Sequence, residues 1–501
     1  MRLGLPWMLA FALCAAGTVR GEAAPRVIAP EGVEVRVEGA GEDGGEGRPK
    51  VLIRDTRGDQ AGLDKVDLVY DFALPEGTRL LGDAWERAYG ELGWRDRDHG
   101  KWMPWYFIAD TGKEFIGFGV ETGPNALACW RVTVSNVTLR LDVRAAGEGV
   151  LLGDRELEAC RVVRVETAKN AKNAKIAEAE FAREFCRAMC PKPKLPKEPI
   201  YGMNDWNSYY GKNTATNFLA DAAAVFDGLG DLEYRPYAVV DDGWEKRDRD
   251  EWFAWDGVTD QWGMTIPEFF ARLKAMNLKP GLWYRPFAAR KDTPVEMLVG
   301  GEGPKSLDPT LPETKAIIAA DIKRFVGWGA RLVKADFLVY ELCGRWGLSY
   351  TDKVIPDGRT FADRSRTTAE VSKDLYRTMK DAAGEDCVII GCNAFNHLAA
   401  GIFESQRIGD DTSGRDWART ERMGGNAVKY RAAQHGTFFF ADPDCVGLAR
   451  EGAIAWENNR EWLGDVERSG MSLWISWPRS LLTPEIKSAF DSVCRTLGKA
   501  K

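Results

Sequence analysis

Histidine is scarce in this chain: His99, His397 and His435 are the only three among 501 residues, and no two lie near each other. The cysteines offer no zinc spacing either, since Cys186 and Cys190 form a C-x-x-x-C pattern, so no metal site is expected. A G-x-G-x-x-G turn is missing, which leaves a nucleotide-binding open sheet without support, and no motif implies a cofactor. After the first 25 residues no apolar run approaches the roughly 20 residues that a membrane span needs. A basic excess is lacking too: the net charge of -7 argues against a nucleic-acid surface. What remains is the composition of an ordinary globular protein, 45% hydrophobic and 29% charged, with length for two or three domains.

Some features are plentiful. Nineteen Trp offer flat indole faces that suit sugar rings, and suit a protein core equally well. The opening "MRLGLPWMLAFALCAAGTVRGEAAP" has Arg2, an apolar run and then small residues, the order of a secretory signal with cleavage after Gly21 or Ala23. Residues 1–23 are therefore expected to be a signal peptide, and the mature chain secreted or periplasmic. Its removal leaves nine cysteines, so at least one is free or pairs between chains.

From residue 26 to 167, short alternating segments such as "GVEVRVEG", "EFIGFGVET" and "VTLRLDVRA" between Gly-rich turns predict an antiparallel β-sandwich. Residues 168–198 read as a connecting Ala/Lys/Glu helix followed by the linker "PKPKLPKEP". From 199 to 501, eight apolar strand candidates alternate with helical patterns, which predicts an α/β domain of the (β/α)8 TIM-barrel class. The candidates are "IYGMNDW", "RPYAVVDDGW", "KPGLWYRPF", "ARLVKADFLVY", "CVIIGCNAF", "FESQRIGDD", "GTFFFADPD" and "SLWISWP". Between the fifth and sixth there is room only for a short helix.

Polar residues collect at the C-terminal ends of these strands: Asp241 and Asp242, then Trp283 and Arg285, Lys334 and Asp336, Asn393, Arg407 with Asp410 and Asp411, and Asp442 with Asp444. A single Asp after a strand is more often a helix cap. A series of them predicts a carboxylate-rich pocket at the barrel mouth, where sites of this fold lie. Several carboxylates with aromatics and no metal motif suit glycoside hydrolysis, which needs two carboxyl groups beside the anomeric carbon. Lys334 shares a strand face with Asp336 and is expected to keep that carboxylate ionised. Two rivals stay open: a structural ion-pair network, and a divalent cation held by Asp241, Asp242 and Asp444.

Several motifs, "YAVVDDGWEK", "KPGLWYRPF", "LVKADF", "RIGDDT" and "ADPDCVGL", resemble in order and spacing the barrel motifs of the melibiase-type α-galactosidases, glycoside hydrolase families 27 and 36. "DWNSYY" is similar to that clan's first-strand motif and "SWPRSLLTPEIKSAF" to its closing strand and helix. "LGDAWERAYGELGWR" and "GFGVETGPNALACW" are similar to the amino-terminal β-domain of family 36-like enzymes. The resemblance implies a retaining, exo-acting α-glycosidase, with Asp336 as nucleophile and Asp411 as acid/base. It implies Asp241 and Asp242 on the 4- and 6-hydroxyls, Lys334 and Arg407 on ring hydroxyls, Trp283 and Tyr209 as walls, Asp444 nearby, and Asn393 beside Cys392 at the C2 substituent. The implied partner is an oligosaccharide or glycan.

Departures from the family pattern leave alternatives. Cys392-Asn393 replaces a Cys-Glu or Cys-Ser pair, which keeps an α-N-acetylgalactosaminidase open, and a raffinose-synthase-type transglycosidase is a further reading. A sugar-binding barrel without catalysis is disfavoured because both catalytic carboxylates are present. Tyr209 and Arg285 stand where the clan often has Trp and an acidic residue, and Trp477 where it often has Asp. The usual carboxy-terminal β-domain is expected to be missing or reduced, and the oligomeric state stays open. Finally, "LGDAWERAYGELGWRDRD" mixes aromatics and charges in a way unlike a plain turn. It is expected either to lean over a barrel mouth, in the same or a neighbouring subunit, or to pack Trp85 and Trp94 at a domain interface.

Overall fold

Each of the eight barrel runs becomes a short parallel strand in the computed structural model, which describes residues 24–39, 48–58, 61–168, 174–247, 252–348 and 350–499. The expected signal peptide, residues 1–23, lies outside the described residues. We label the strands β1 (Tyr201–Asn204), β2 (Tyr237–Val240), β3 (Lys279–Tyr284), β4 (Leu332–Ala335), β5 (Val388–Gly391), β6 (Ser405–Arg407), β7 (Phe440–Asp442), β8 (Cys445–Gly447) and β9 (Leu473–Ser476). The sheet runs β7-β6-β5-β4-β3-β2-β1-β9-β8, parallel throughout.

The seventh stave is broken by Pro443 and Asp444 into β7 and β8. Proline has no N–H to give a ladder, and Asp444 has φ 77°, a left-handed conformation that aspartate tolerates better than most residues. One half pairs with β6 and the other with β9, and Ser472 N donates to Ala441 O at 3.0 Å, so the sheet closes into a barrel. Leu332 on β4 faces a small interior cluster with Tyr237, Val239 and Ile390, while Val333 and Ala335 join the larger core outside.

Sequence signals set most of the barrel helices. Thr214, Thr265, Thr367 and Thr483 each accept a hydrogen bond from a first-turn backbone N–H, and Glu268 and Glu370 complete capping boxes. The short unit between β5 and β6 is one turn, Asn396–Ala399. One expectation fails: "FLVY" does not continue the fourth strand. Phe337 adopts φ 62°, and Leu338–Cys343 is a short helix whose Leu338, Val339 and Leu342 are buried. An apolar run fits a buried strand and a buried helix alike, and the left-handed residue after Asp336 decides between them.

The amino-terminal region forms a five-stranded and a seven-stranded antiparallel sheet. Trp130 of the first meets Phe107 and Phe118 of the second, each at a 6.0 Å ring separation, so the two inner faces share one core. The helix Ala174–Met189 packs on the larger sheet through glycines. A Cβ at Gly117 would lie 2.7 Å from the Phe185 ring, and one at Gly119 2.5 Å from the Met189 sulfur. All nine described cysteines are buried and free, so Cys186 and Cys190 form no disulfide.

The β-domain and barrel are joined by buried polar contacts. Arg431 Nε donates to Asp83 Oδ1 at 2.7 Å, and the same carboxylate accepts from Gln434 at 2.9 Å and Asn396 at 3.1 Å. Both ion-pair side chains are essentially inaccessible, 0% and 1%. A buried charge that loses its partner typically costs about 3–5 kcal/mol. Arg431→Met should therefore lower the unfolding free energy of the full chain by an amount in that range, read as a lower urea midpoint at unchanged slope. An unchanged midpoint would mean that the pair does not hold the domains together.

Candidate active site

The strand ends converge on a cavity of about 540 Å³ at the C-terminal mouth of the barrel. Asp241, Asp242, Trp283, Lys334, Asp336 and Asp411 all line it, which is where they were expected together. Asp336 sits one residue past β4, its N–H extending the ladder to Tyr284 O at 2.9 Å. Its Oδ1 accepts from Phe337 N at 2.7 Å and its Oδ2 from Trp283 Nε1 at 3.2 Å.

Lys334 does not pair with Asp336. Its Nζ bonds Asp241 Oδ2 at 2.6 Å, an oxygen that also accepts from Asn204 at 2.6 Å. Burial is the largest influence and works against the ammonium, but Asp241 and the other acidic neighbours, Asp444 among them, together hold the lysine well above its ordinary pKa. Asp336 makes no ion pair among the described residues and is held by two neutral donors instead. Asp242 is paired with Arg247.

Asp411 presents the opposite environment. Arg407 Nη2 lies 2.9 Å and Arg87 Nη1 3.3 Å from its Oδ1, and its side chain is 33% exposed. Burial pushes this carboxyl up, but Arg87, Arg407, Lys334 and Arg419 together pull it down to about 2. Neighbouring Asp410 accepts from Arg87 at 3.1 Å and Arg419 at 2.7 Å.

Four expected substrate contacts are placed elsewhere. Arg407 is 1% exposed and lies behind the wall, tying Asp411 to Asp444 at 2.5 Å. Asp444 in turn accepts from Thr412 N at 2.7 Å and Thr412 Oγ1 at 3.0 Å. Asn393 is fully buried, its Oδ1 accepting from Tyr340 N at 2.9 Å. Tyr209 turns its hydroxyl to Asp221, a buried carboxylate on the neighbouring helix, and Trp206 forms the wall in its place. The divalent-cation alternative does not fit these donors. Asp241, Asp242 and Asp444 each already face a lysine or an arginine, and no cluster of metal-ligating side chains occurs among the described residues.

Arg87 and Tyr89 are the residues that strand-end reasoning missed. They come from the β-domain, on the loop whose mixture of aromatics and charges stood out in the sequence, and they line the cavity of the same chain. The loop is pinned by a short parallel bridge: Ala88 N donates to Ile408 O at 2.9 Å and Asp410 N to Ala88 O at 2.8 Å. Trp85 does not reach the mouth; it is buried against Trp105 and donates to Thr351 O at 2.9 Å. Trp346 stands over Arg87 with its ring 5.0 Å away. Between Trp85 and Arg87, Glu86 is fully buried, accepts from Tyr89 Oη at 2.9 Å, and is pushed by burial up to about 8.

No family model matches the sequence. The fold matches solved structures. The α-galactosidase TtGalA from Thermus thermophilus, in complex with stachyose, gives a TM-score of 0.62 at 16% identity, over 92% of this chain and 96% of that one. The family GH36 α-galactosidase AgaB from Geobacillus stearothermophilus gives 0.60 at 12% identity, over 90% of this chain and 64% of that one. An α-galactosidase from Lactobacillus brevis gives 0.59 at 12% identity, over 90% and 63%. The chain thus has the architecture of GH36 α-galactosidases over about nine-tenths of its length, and spans less than two thirds of the two longer enzymes.

The Glu86 carboxyl gives a stability test. Between its ordinary 4.5 and about 8, the native chain keeps a proton that the unfolded chain has released, so stability is lost as pH rises through that window. The loss is at most about 1.4 kcal/mol per pH unit. Glu86→Gln has no such proton to lose, so melting temperatures of the two proteins should diverge in the variant's favour from roughly pH 5 to roughly pH 8. Parallel curves would show that Glu86 is ionised in the native protein.

Proposed function

We propose that this chain is a retaining, exo-acting α-glycosidase that removes terminal α-linked galactose-type sugars from oligosaccharides or glycans. The observation that carries the reading is one cavity holding two carboxylates in opposite environments, Asp336 on neutral donors and Asp411 between arginines. The fold match to α-galactosidases supports it, as does the ordered set of sequence motifs. The leader-like first 23 residues support an exported enzyme.

In this reading the Asp336 carboxylate attacks the anomeric carbon while the bond to the aglycone oxygen breaks, and that oxygen takes a proton from Asp411. Water then attacks the glycosyl-aspartate, giving its proton to Asp411 and releasing Asp336. Asp241 and Asp242, which line the cavity, would accept hydroxyl hydrogens of the sugar. Trp283 fixes Asp336 through its indole N–H. In the free pocket Asp411 is ionised, the form that the second step uses. The first step needs it protonated, so Arg87 must loosen its contact as the aglycone enters.

Two outcomes test this. Asp336→Asn should lower turnover of an activated aryl α-galactoside by at least about a thousandfold without changing the fold, as loss of a nucleophile does; a variant retaining most of its activity would refute the assignment. Arg87→Met removes one cation from Asp411. The Asp411 carboxyl of the free protein, followed by carbon NMR against pH, should then titrate about 1–3 units higher, because an opposing charge at this range lowers a carboxyl by that much. A titration that stays in place would show that Arg87 does not govern the acid.

A further inference from the structure

Beside Asp411 one cation of the cavity lining stands outside the ion pairs. Asp410, Asp411 and Asp444 face Arg87, Arg407 and Arg419 in a closed set of ion pairs. Arg422 also lines the cavity, is exposed, and has no ion pair or hydrogen bond among the described residues. It sits in the π-helical turn Glu421–Gly425, which follows the short helix Trp417–Thr420. Arg419 and Arg422 are three residues apart, so both reach the same side of this segment. Arg419 binds Asp411 O through Nε at 2.8 Å and Asp410 through Nη2, and its Nη1 bonds no described residue.

No acid forms an ion pair with Arg422 among the described residues. Asp416 is occupied in capping Arg419 N, and Glu421 is not among the residues that line the cavity. Glu86 is fully buried behind the loop, where burial pushes its carboxyl up to about 8. The arginine stem is held in place by the β-domain loop. A Cβ at Gly90, where φ is 81°, would come 2.3 Å from Arg422 Cγ, so only glycine lets the loop pass beneath it.

An acid/base carboxyl lies beside the glycosidic oxygen, so residues on its outer side face the leaving group. This step rests on the proposed function. We infer that the leaving-group side of the cavity takes a sugar ring bearing an oxyanion, a carboxylate or a sulfate ester, held by the guanidinium of Arg422 with Arg419 beside it. Guanidinium groups match both anions with paired N–H donors. The half-exposed Trp346, 38% accessible, supplies apolar surface for the ring itself.

The test compares α-galactosyl disaccharides whose second ring is neutral, carries a carboxylate, or carries a sulfate ester. In the wild-type protein at low salt, kcat/KM should favour an anionic second ring by at least tenfold, and the preference should shrink at about 0.5 M salt, where charges are screened within a few ångströms. Arg422→Gln should cut the anionic-to-neutral ratio at least tenfold, and Arg422→Lys should restore part of it. The favoured anion identifies the source. Equal rates for all three, or a preference that survives Arg422→Gln, would overturn the inference.

A second readout separates this inference from the catalytic one. Calorimetry with the free monosaccharides should show glucuronate or glucose 6-sulfate binding to the wild type, glucose not binding, and the anion signal lost in Arg422→Gln. If that holds while no α-galactoside is turned over, the anion site stands and the glycosidase reading falls. If neutral α-galactosides are hydrolysed while no anion binds, the reverse is true.

Discussion

Charges buried near the mouth of this barrel have to be paired, since an isolated buried ion is very costly, and that requirement lays out the pocket. Lys334 is taken up by Asp241. Arg407 bridges Asp411 and Asp444, and Arg87 bridges Asp410 and Asp411. Asp336 is left facing the cavity with only an indole N–H and a backbone N–H. A carboxylate held only by neutral donors among the described residues is left open to the approach of an electrophilic carbon. The two carboxylates differ because the arginines have been gathered on one of them.

The same requirement ties the two domains together. Arg87 enters the barrel mouth from the β-domain, and Asp83 at the start of that loop is held by Arg431 of the barrel. The loop also adds a bridge at the end of β6 through Ala88. Asp411 is therefore built by both domains. The β-domain supplies one of its two closest cations, which accounts for aromatic and charged residues where a sandwich turn would ordinarily carry small polar ones.

Much of this was legible in the sequence because it is local. The strands announce themselves by short apolar runs, the helices by threonine caps, and the mouth by acids at strand ends. The break at Pro443-Asp444 lies inside a run that reads as one strand, and proline chemistry accounts for it only once the two halves are seen. What period-two alternation could not supply was partnership. It put Lys334 and Asp336 on one face, yet the lysine reaches across to Asp241 on β2. Arg87 and Asp411 are 324 residues apart, beyond any local pattern. Arg407, Asp444 and Asn393 carry polar groups at the right strand ends but are buried behind the wall, and sequence does not distinguish a side chain in the wall from one behind it. In the same way, an internal partner, Asp221, drew Tyr209 away and left Trp206 at the surface of the cavity.

The central claim is that Asp336 forms a covalent bond to the sugar, and the configuration of the first-formed product tests it most directly. Proton NMR during hydrolysis of an aryl α-galactoside should show the α-anomer of the free sugar before mutarotation, because two displacements at one carbon restore the starting configuration. The β-anomer appearing first would mean a single displacement by water, and Asp336 could not be the nucleophile.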